Sequence, residues 1–359
     1  MKWSFHLARI AGIDVRVHAT FILLLAWFGY VYYADGGQVA MVVGLSFIIL
    51  LFLCVLLHEF GHALAARAYG INTPDITLLP IGGVARLERM PDKPWQELVV
   101  ALAGPAVNVV IAFALYVVIG QTFHLNEMEQ IAEGGGNLLT RLLAINVILV
   151  VFNLLPAFPM DGGRVLRAAL AMRMKHARAT QIAATVGQVV AVLFGLAGLF
   201  GGNPFLLFIA VFVFFGARSE ASYAVLKEAA DETRVGGIMH PMGPVLFPGM
   251  NVSEAAQLAM GGNSGILPVV ERSLRLLGVV PVESLANALR WDPQAKIDTL
   301  VRHDFVRVSA DSTLSQVFAR LRSVPQQVFP VTNPSGELVG LLAREDVATA
   351  LGMVSPGKD

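Results

Sequence analysis

The sequence has 359 residues, of which 55% are hydrophobic and only 14% are charged, and its formal net charge is +0. Soluble domains carry roughly 25% charged residues, so this composition favours a membrane protein that crosses the bilayer several times. The neutral balance gives no indication of nucleic acid as a partner, and the single cysteine, Cys54, excludes an intrachain disulfide.

The N-terminal residues do not have the pattern of a cleavable signal peptide, because Asp14, Arg16 and His18 interrupt any apolar core. Beyond them, six segments approach the roughly 20 apolar residues that a membrane-spanning helix needs. The predicted spans are Thr20–Ala34, Met41–Ala65, Trp95–Gly120, Leu138–Leu155, Ile182–Phe200 and Pro204–Ala217. Cys54 lies in the second of them and is predicted only to pack.

Lys and Arg residues are concentrated in alternate connections between these spans. They occur before the first span, between the second and third, between the fourth and fifth, and after the sixth. The positive-inside rule therefore places both termini in the cytoplasm, in a multi-pass protein of the cell membrane.

The second predicted span contains an HExxH motif, from His58 and Glu59 to His62. Histidines four residues apart share one helix face, so both imidazoles can bind a single tetrahedral Zn²⁺. Glu59 can take a proton from the water of that metal. HExxH also occurs by chance in soluble sequences, but ionisable residues inside an apolar helix are costly and are usually functional. We therefore predict one zinc ion per chain.

The segment Ile76–Glu88 is too short to span the membrane as a helix, and Pro80 and Gly82-Gly83 interrupt it. Two short apolar runs on either side of the glycines predict a β-hairpin.

A catalytic zinc usually takes three protein ligands. Asp161 ends the fourth predicted span, where Pro156 and Pro159 break the helix and can turn the carboxylate back toward the membrane. The topology puts Asp161 on the same cytoplasmic side as His62, so it is the predicted third ligand. The alternative is that Asp161 caps the helix that follows. Three other carboxylates are predicted on that side, but they lie in loops or at a helix start: Asp75, Glu88 and Glu97.

Two asparagines lie in apolar spans, where a buried amide needs hydrogen-bond partners. Asn153, in the last turn of the fourth span, could donate to an oxyanion or bond across helices. Asn108 raises the same alternatives, although the small residues Gly104 and Ala106 indicate that its span mainly serves close helix packing.

After Glu220 the composition becomes mixed and amphipathic, and two similar segments follow from about Arg234. Each has the order strand, helix, two short strands and helix, and the unit repeats at about sixty residues. This pattern predicts a soluble α/β pair.

The sequences HEFGH, AGPAVN and NLLPAFPMDGGR, in this order, resemble the site-2 protease family of intramembrane zinc metalloproteases over roughly residues 1–220. The resemblance implies that His58, His62 and Asp161 bind zinc. It further implies that Glu59 is the base and that Asn153 helps to polarise the substrate carbonyl. The hairpin at 76–88 resembles a membrane-associated hairpin that guides the substrate as an added strand.

The C-terminal repeats resemble a tandem pair of cystathionine-β-synthase (CBS) domains, which often bind adenine nucleotides between the repeats. The family signature is roughly Gly-apolar-apolar-Ser/Thr-x-x-Asp. The second repeat, Gly340–Asp346, keeps the Asp for a ribose but lacks the hydroxyl residue, and the first repeat, Gly278–Ser284, lacks both. Asp346 is therefore a candidate nucleotide contact, with a helix cap as the alternative, and nucleotide binding stays open.

The predicted fold is a polytopic α-helical membrane protein, with about six transmembrane helices and a membrane-associated β-hairpin, followed by a soluble α/β tandem CBS domain. The predicted divisions are a protease domain at 1–222, a linker at 223–233, and CBS repeats at 234–290 and 291–359.

The predicted function is zinc-dependent cleavage of transmembrane protein substrates in the lipid bilayer, regulated by the cytoplasmic CBS pair, which could also form a homodimer. The alternatives are a transporter, which also has buried ionisable groups and broken helices, and a non-catalytic scaffold gated by the CBS pair. No paired inverted repeat is apparent for a transporter, and a structural zinc site would not need Glu59.

Overall fold

The structure is a computed structural model that describes residues 3–91, 93–119, 137–261, 264–322 and 324–350. The chain divides into two compact units, Met1–Ala224 and Val225–Asp359.

The first unit is built mainly of apolar helices. They are α1 (Ala19–Ala68), α2 (Pro94–Ile119), α3 (Leu138–Asn153), α4 (Asp161–Ala171), α5 (His176–Phe200) and α6 (Pro204–Glu232), of which α6 continues into the second unit. Among the described residues, four of them (α1, α2, α5 and α6) are long and apolar enough to cross a membrane, and α3 is a shorter apolar helix. Large apolar side chains such as Phe113 and Phe205 are more than half exposed along these helices, as expected of surfaces that contact lipid. The predicted helical membrane region is confirmed at this level.

Helix α1 consists of two arms that meet at a kink. Gly36 and Gly37 have non-helical backbone angles, and Gly37 adopts a positive φ of 69° that favours glycine. The Phe21 ring of the first arm packs edge to face against the Phe52 ring of the second, with their centroids 4.4 Å apart. The two arms therefore lie side by side. The first two predicted spans correspond to these two arms.

Several predicted boundaries differ from the observed ones. Helix α3 ends at Asn153, before Pro156 removes a helical N–H donor. Helix α6 does not stop at Ala217, because Ala, Glu, Leu and Lys residues with high helix propensity continue it to Glu232. Much of the segment predicted as a linker is therefore helical. The predicted end of the third span, Gly120, lies outside the described residues.

A four-stranded sheet packs against α1. Its strands are β1 (Ser4–Ile10), β2 (Ile13–His18), β3 (Asp75–Leu79) and β4 (Gly82–Arg86), and they lie in the order β1-β2-β3-β4. Neighbours β1 and β2 are antiparallel, as are β3 and β4, whereas β2 and β3 are parallel. The buried side chains of Ile13, Val15, Ile76 and Leu78 join a core with residues from both arms of α1. The sheet is thereby fixed to the helix that carries the HExxH motif.

The predicted hairpin is present as β3 and β4, but its turn is not where the sequence pattern placed it. Leu79 pairs with Gly82, so Pro80 and Ile81 form the turn and the two glycines begin β4. The N-terminal strands β1 and β2 were not predicted. In β2, apolar residues alternate with charged ones from Ile13 to Val17, which is a strand signal in the sequence.

The second unit contains two repeats with separate cores. The first comprises β5 (His240–Pro241), α7 (Val252–Ala259), β6 (Ile266–Val270), β7 (Leu276–Pro281) and α8 (Val282–Trp291). The second comprises β8 (Val308–Ser309), α9 (Leu314–Arg322), β9 (Val328–Thr332), β10 (Leu338–Ala343) and α10 (Arg344–Ala350). Strand β5 pairs with β10 of the other repeat, and Val279 of β7 forms a bridge with Arg302. The predicted repeat of a helix, two strands and a helix is confirmed.

Candidate metal centre

The two histidines of the HExxH motif lie on the second arm of α1, one helical turn apart. Their imidazole rings are 4.7 Å apart between centroids and nearly perpendicular, at 82°. Both residues are buried, and the two Nε2 atoms are 3.0 Å apart. The spacing of four residues therefore directs both Nε2 atoms to one point, as the motif predicts.

Asp161 is brought to the same point from a different part of the chain. It is the first residue of α4, and its Oδ2 atom lies 3.2 Å from His58 Nε2 and 3.1 Å from His62 Nε2. The helix cap is Met160, so the alternative reading of Asp161 as the cap residue is wrong. All three donor atoms lie within 4.8 Å of one another, and all three residues are buried.

The hydrogen bonds of the two rings determine which nitrogen faces this point. The His62 Nδ1 atom lies 2.7 Å from the backbone carbonyl oxygen of Val100. A carbonyl oxygen can only accept, so His62 Nδ1 carries the proton, and in the neutral ring that binds a metal Nε2 presents a lone pair.

For His58 the same conclusion follows through two asparagines. The Leu142 carbonyl accepts from Asn146 Nδ2, which leaves Asn146 Oδ1 to accept from Asn108 Nδ2 at 2.8 Å. The Asn108 Oδ1 atom is then the acceptor that faces His58 Nδ1 at 2.5 Å. His58 therefore also carries its proton on Nδ1 and presents Nε2. Asn146 Nδ2 additionally contacts Cys54 Sγ at 3.4 Å.

Three electron-rich atoms thus converge in a buried space: two imidazole lone pairs and a carboxylate oxygen. Such a set repels itself unless a cation lies between its members, and two nitrogens with one oxygen are a donor set that zinc accepts. The residues present therefore fit Zn²⁺.

Small residues allow α2 to approach the metal centre closely. A Cβ atom added at Gly104 would overlap the imidazoles of His62 and His58, and one at Gly61 would lie 2.7 Å from the Ala103 carbonyl oxygen. The close packing predicted for Gly104 is confirmed, and its consequence is that α2 can supply Val100 and Asn108 to the two rings.

Two protein-family models match this chain, one in each of its two compact units. Residues 46–135 and 120–194 match the model for peptidase family M50, and 235–290 and 297–352 match the model for the CBS domain. A protein of Methanocaldococcus jannaschii named zinc metalloprotease is 31% identical over 99% of this chain and 98% of its own length. The chain belongs to peptidase family M50.

Two further similarities concern this M50 peptidase. A Synechocystis protein named for the same class of enzyme is 30% identical over 98% of this chain and 96% of its own. A solved site-2 protease from M. jannaschii is 38% identical, with a TM-score of 0.45, and covers 61% of this chain and 95% of that one. Family membership confirms the predicted resemblance and the zinc metalloprotease class, and the two matches to the CBS model confirm the tandem CBS repeats.

Glu59 and Asn153 are the two remaining residues of the peptidase that were predicted to be catalytic. Glu59 is half-buried on α1, and a Cβ atom added at Gly83 of β4 would lie 2.6 Å from its Cγ atom. The start of β4 therefore lies directly against Glu59. Asn153 is the half-buried last residue of α3, and its side chain makes no hydrogen bond to another described residue.

The alternative carboxylates are engaged elsewhere. Asp75 faces Arg86 across the hairpin at 3.5 Å, and Glu97 forms a buried ion pair with Arg167. Glu88 is exposed after β4. Among the described residues, the only grouping of His, Cys, Asp or Glu side chains suited to a metal is therefore His58, His62 and Asp161.

In the second unit, Asp346 has two partners. Its Oδ2 accepts from the Ala343 N–H at 2.7 Å, and its Oδ1 lies 2.8 Å from His240 Nε2. The bond to Ala343 is the capping interaction that was the alternative interpretation of Asp346.

No role at the metal centre was predicted for Asn146 or Gly83, and Asn108 was predicted mainly to serve helix packing. Each had a signal: Asn146 is a polar residue in the apolar span that ends at the Asp161 segment, and Gly83 sits in a short apolar strand.

Replacing Asn108 with Leu is expected to weaken zinc binding by about 10- to 100-fold, the usual cost of losing a group that orients a metal-bound histidine. The leucine cannot accept from His58 Nδ1, so the ring is free to present its protonated nitrogen. Competition with a zinc chelator measures the affinity. A matched control is Val109→Ala, one residue along α2 and exposed. Equal affinity for Asn108→Leu and wild type would contradict the role of Asn108.

Proposed function

We propose that the protein hydrolyses peptide bonds within or near the transmembrane segments of membrane proteins, with zinc held by His58, His62 and Asp161. The observation that carries this proposal is the convergence of three buried donors: two lie on the apolar helix α1, which also bears Glu59, and the third is Asp161 at the start of α4. An ionisable cluster at such a position is costly unless it has a function.

Zinc, when bound, lowers the pKa of a water molecule toward 7 and polarises a carbonyl group. Glu59 then serves as the general base, taking the proton of the water that attacks the scissile carbonyl carbon, and returns it to the leaving nitrogen. The two Nδ1 hydrogen bonds keep His58 and His62 oriented throughout. The side-chain amide of Asn153, which has no hydrogen-bond partner among the described residues, would donate to the oxygen on which negative charge develops.

The position of β4 supports strand addition as the mode of substrate binding. Strand β4 is an edge of its sheet, so one row of its backbone N–H and C=O groups is not used by β3. Gly83 at the start of this edge lies against Glu59. A substrate segment must leave the helical form to expose its peptide bond, and an extended segment paired with β4 would lie beside the base.

Replacing Gly83 with Ala is expected to lower the rate of cleavage by about 10- to 100-fold without loss of zinc, because small misplacements of reacting groups are costly. The added Cβ would come within 2.6 Å of Glu59 Cγ, so either the base or the strand must move. Val84→Ala, on the same strand and exposed, is the matched control. Cleavage rates and zinc content of both variants are measured on the same substrate; an unaltered rate for Gly83→Ala would contradict close approach of β4 to the base.

We infer six membrane crossings from the arrangement of the helices. A helix of 50 residues would extend ~75 Å, far beyond the ~30 Å of the hydrocarbon layer, so the kinked α1 supplies two crossings. Parallel pairing of β2 and β3, which precede and follow α1, supports an outward and a returning arm. With α2, α3, α5 and α6 the total is six, and the Lys and Arg distribution then puts both termini in the cytoplasm. The sheet with its hairpin would lie at the cytoplasmic membrane surface.

We also propose a protease domain at 1–222, a connection at 223–233, and a CBS pair from 234 that regulates access or forms a homodimer. Continuity of α6 supports coupling: the helix starts in the first unit, and its residues Leu226, Ala229 and Ala230 pack in the core of the second CBS repeat. Nucleotide binding at Asp346 would compete with His240 for the same carboxylate. Deleting the residues after Ser222 should change the rate of cleavage, and an unchanged rate and nucleotide response would refute the regulatory role.

The proposed activity is tested by co-expressing the protein with a panel of tagged single-span membrane proteins. We expect a shortened product, cut within or beside the span and toward its cytoplasmic side, that disappears when zinc is removed with a chelator. A product that persists in the zinc-free protein would contradict the proposal.

A further inference from the structure

Arg167 forms a buried ionic cluster outside the metal centre. It lies on α4, six residues after Asp161, and its side chain is only 6% exposed. The Arg167 Nε atom donates to Glu97 Oε1 at 2.7 Å, and Nη2 contacts the same oxygen. Its Nη1 atom donates to Glu220 Oε2 at 3.3 Å. The guanidinium therefore connects α4 to the start of α2 and to α6.

The same guanidinium also contacts the segment that precedes Asp161. Its Cζ atom lies 5.1 Å from the centroid of the Phe158 ring, at a distance suited to a cation–π interaction. Phe158 is fully buried and packs with Ala183 and Ala184 of α5 and Ala217 of α6. Phe158 precedes Asp161 and Arg167 follows it, so the contact between them joins the two ends of the turn that carries Asp161.

This turn has little freedom of its own. A Cβ atom added at Gly163 would lie 2.6 Å from the Phe158 backbone nitrogen, and one at Gly162 would overlap the Leu155 carbonyl oxygen. The segment is therefore folded tightly on itself, and we expect it to move as one piece. The contacts of this segment with other helices fix its position relative to α1 and α2. The buried Arg167 cluster is one of these contacts.

Position matters because Asp161 is the one proposed ligand that does not lie on the HExxH helix. His58 and His62 are kept together by their spacing on α1, whereas Asp161 Oδ2 must be brought to them by another segment. Metal and catalytic groups must be held within about 0.5 Å of the productive arrangement. A shift of α4 along α2 would therefore remove the carboxylate from zinc and leave the two imidazoles unchanged.

We propose that Arg167 is a positioning residue for the metal centre: its planar guanidinium, fixed by Glu97 and Glu220 and stacked on Phe158, sets the place of Asp161. This inference rests on the proposed function, because it takes Asp161 as a zinc ligand. The simpler explanation is that Arg167 only neutralises the buried charge of Glu97, and removing either partner of such a pair is by itself destabilising.

Two full-length variants separate these explanations. Arg167→Lys keeps the positive charge beside Glu97 but loses the planar fork and the stacking surface. The double variant Arg167→Met, Glu97→Gln removes both charges, so neither is left buried alone. Arg173→Met, an exposed position just after α4, is the matched control. Each protein is purified in detergent, and its zinc affinity, its thermal unfolding without zinc and its cleavage rate are measured.

We expect the metal-free double variant to unfold near the wild-type temperature, while both variants bind zinc about 10- to 100-fold more weakly. Wild-type zinc affinity in Arg167→Lys would show that charge alone suffices and would overturn the inference. Should the double variant not fold, Phe158→Leu keeps every charge and is expected to weaken zinc binding; wild-type affinity there would also overturn it. These outcomes differ from failure of the proposed function, in which the wild type would bind no zinc or Asp161→Asn would bind it normally.

Discussion

Replacing Glu59 with Gln is expected to lower the rate of substrate cleavage by about 10²- to 10⁴-fold while zinc remains bound. The amide has nearly the same shape as the carboxylate, but it cannot accept a proton from the attacking water or pass one to the leaving nitrogen. The three proposed ligand atoms come from His58, His62 and Asp161, so the substitution leaves them all in place. Cleavage is measured on one tagged substrate, and zinc content is measured on the same purified samples.

The matched control is Glu88→Gln, which removes an exposed carboxylate shortly after β4. It is expected to cut at the wild-type rate. Equal product from wild type and Glu59→Gln would exclude Glu59 as the base and would favour a non-catalytic scaffold or a transporter. A lower rate could also arise if Glu59→Gln lost its zinc. The zinc content therefore decides whether Glu59 acts as the base or only supports the metal centre.

The three residues of the metal centre could be predicted from the sequence because short local patterns place their side chains. Two histidines at positions i and i+4 share a face wherever the chain is helical, and Asp161 follows prolines that must break a span. Both signals depend on a few neighbouring residues. The convergence of His58, His62 and Asp161 in the structure agrees with this expectation.

The supporting residues could not be predicted because their partners are distant in the chain. Asn108 meets His58 across 50 positions, and Arg167 meets Glu97 across 70. Nothing in the local sequence pattern around Arg167 distinguishes it from Arg173, which is exposed. Which of several arginines is buried is a property of helix packing, and helix packing is not encoded in short motifs.

The fold divides in the same way. Apolar length predicted the long apolar helices, and the repeat pattern predicted the soluble α/β pair that matches the CBS model. The four-stranded sheet was only half predicted, because the β1 and β2 strands precede α1 and meet β3 only after the chain has passed through both arms of that helix. A hairpin is a local structure, but the parallel pairing of β2 with β3 is not.

Replacing Asp161 with Asn is expected to raise the zinc dissociation constant by about 100-fold or more and to abolish cleavage. Loss of a group that merely orients a ligand costs about 10- to 100-fold, so loss of the anionic ligand itself should cost at least the upper value. Asn keeps the size of the side chain, but it removes the negative charge that faces the two Nε2 atoms. Zinc binding is measured by chelator competition on the purified full-length protein.

Asp75→Asn is the matched control, because Asp75 is a buried carboxylate that pairs with Arg86 in the hairpin rather than with the histidines. It should keep the wild-type zinc affinity. If Asp161→Asn also kept that affinity, the third ligand would have to come from elsewhere, and the convergence of Asp161 with His58 and His62 would reflect hydrogen bonding alone. If instead affinity falls in Asp161→Asn but not in Asp75→Asn, the loss follows from the place of the carboxylate at the metal centre and not from the removal of a buried charge in general.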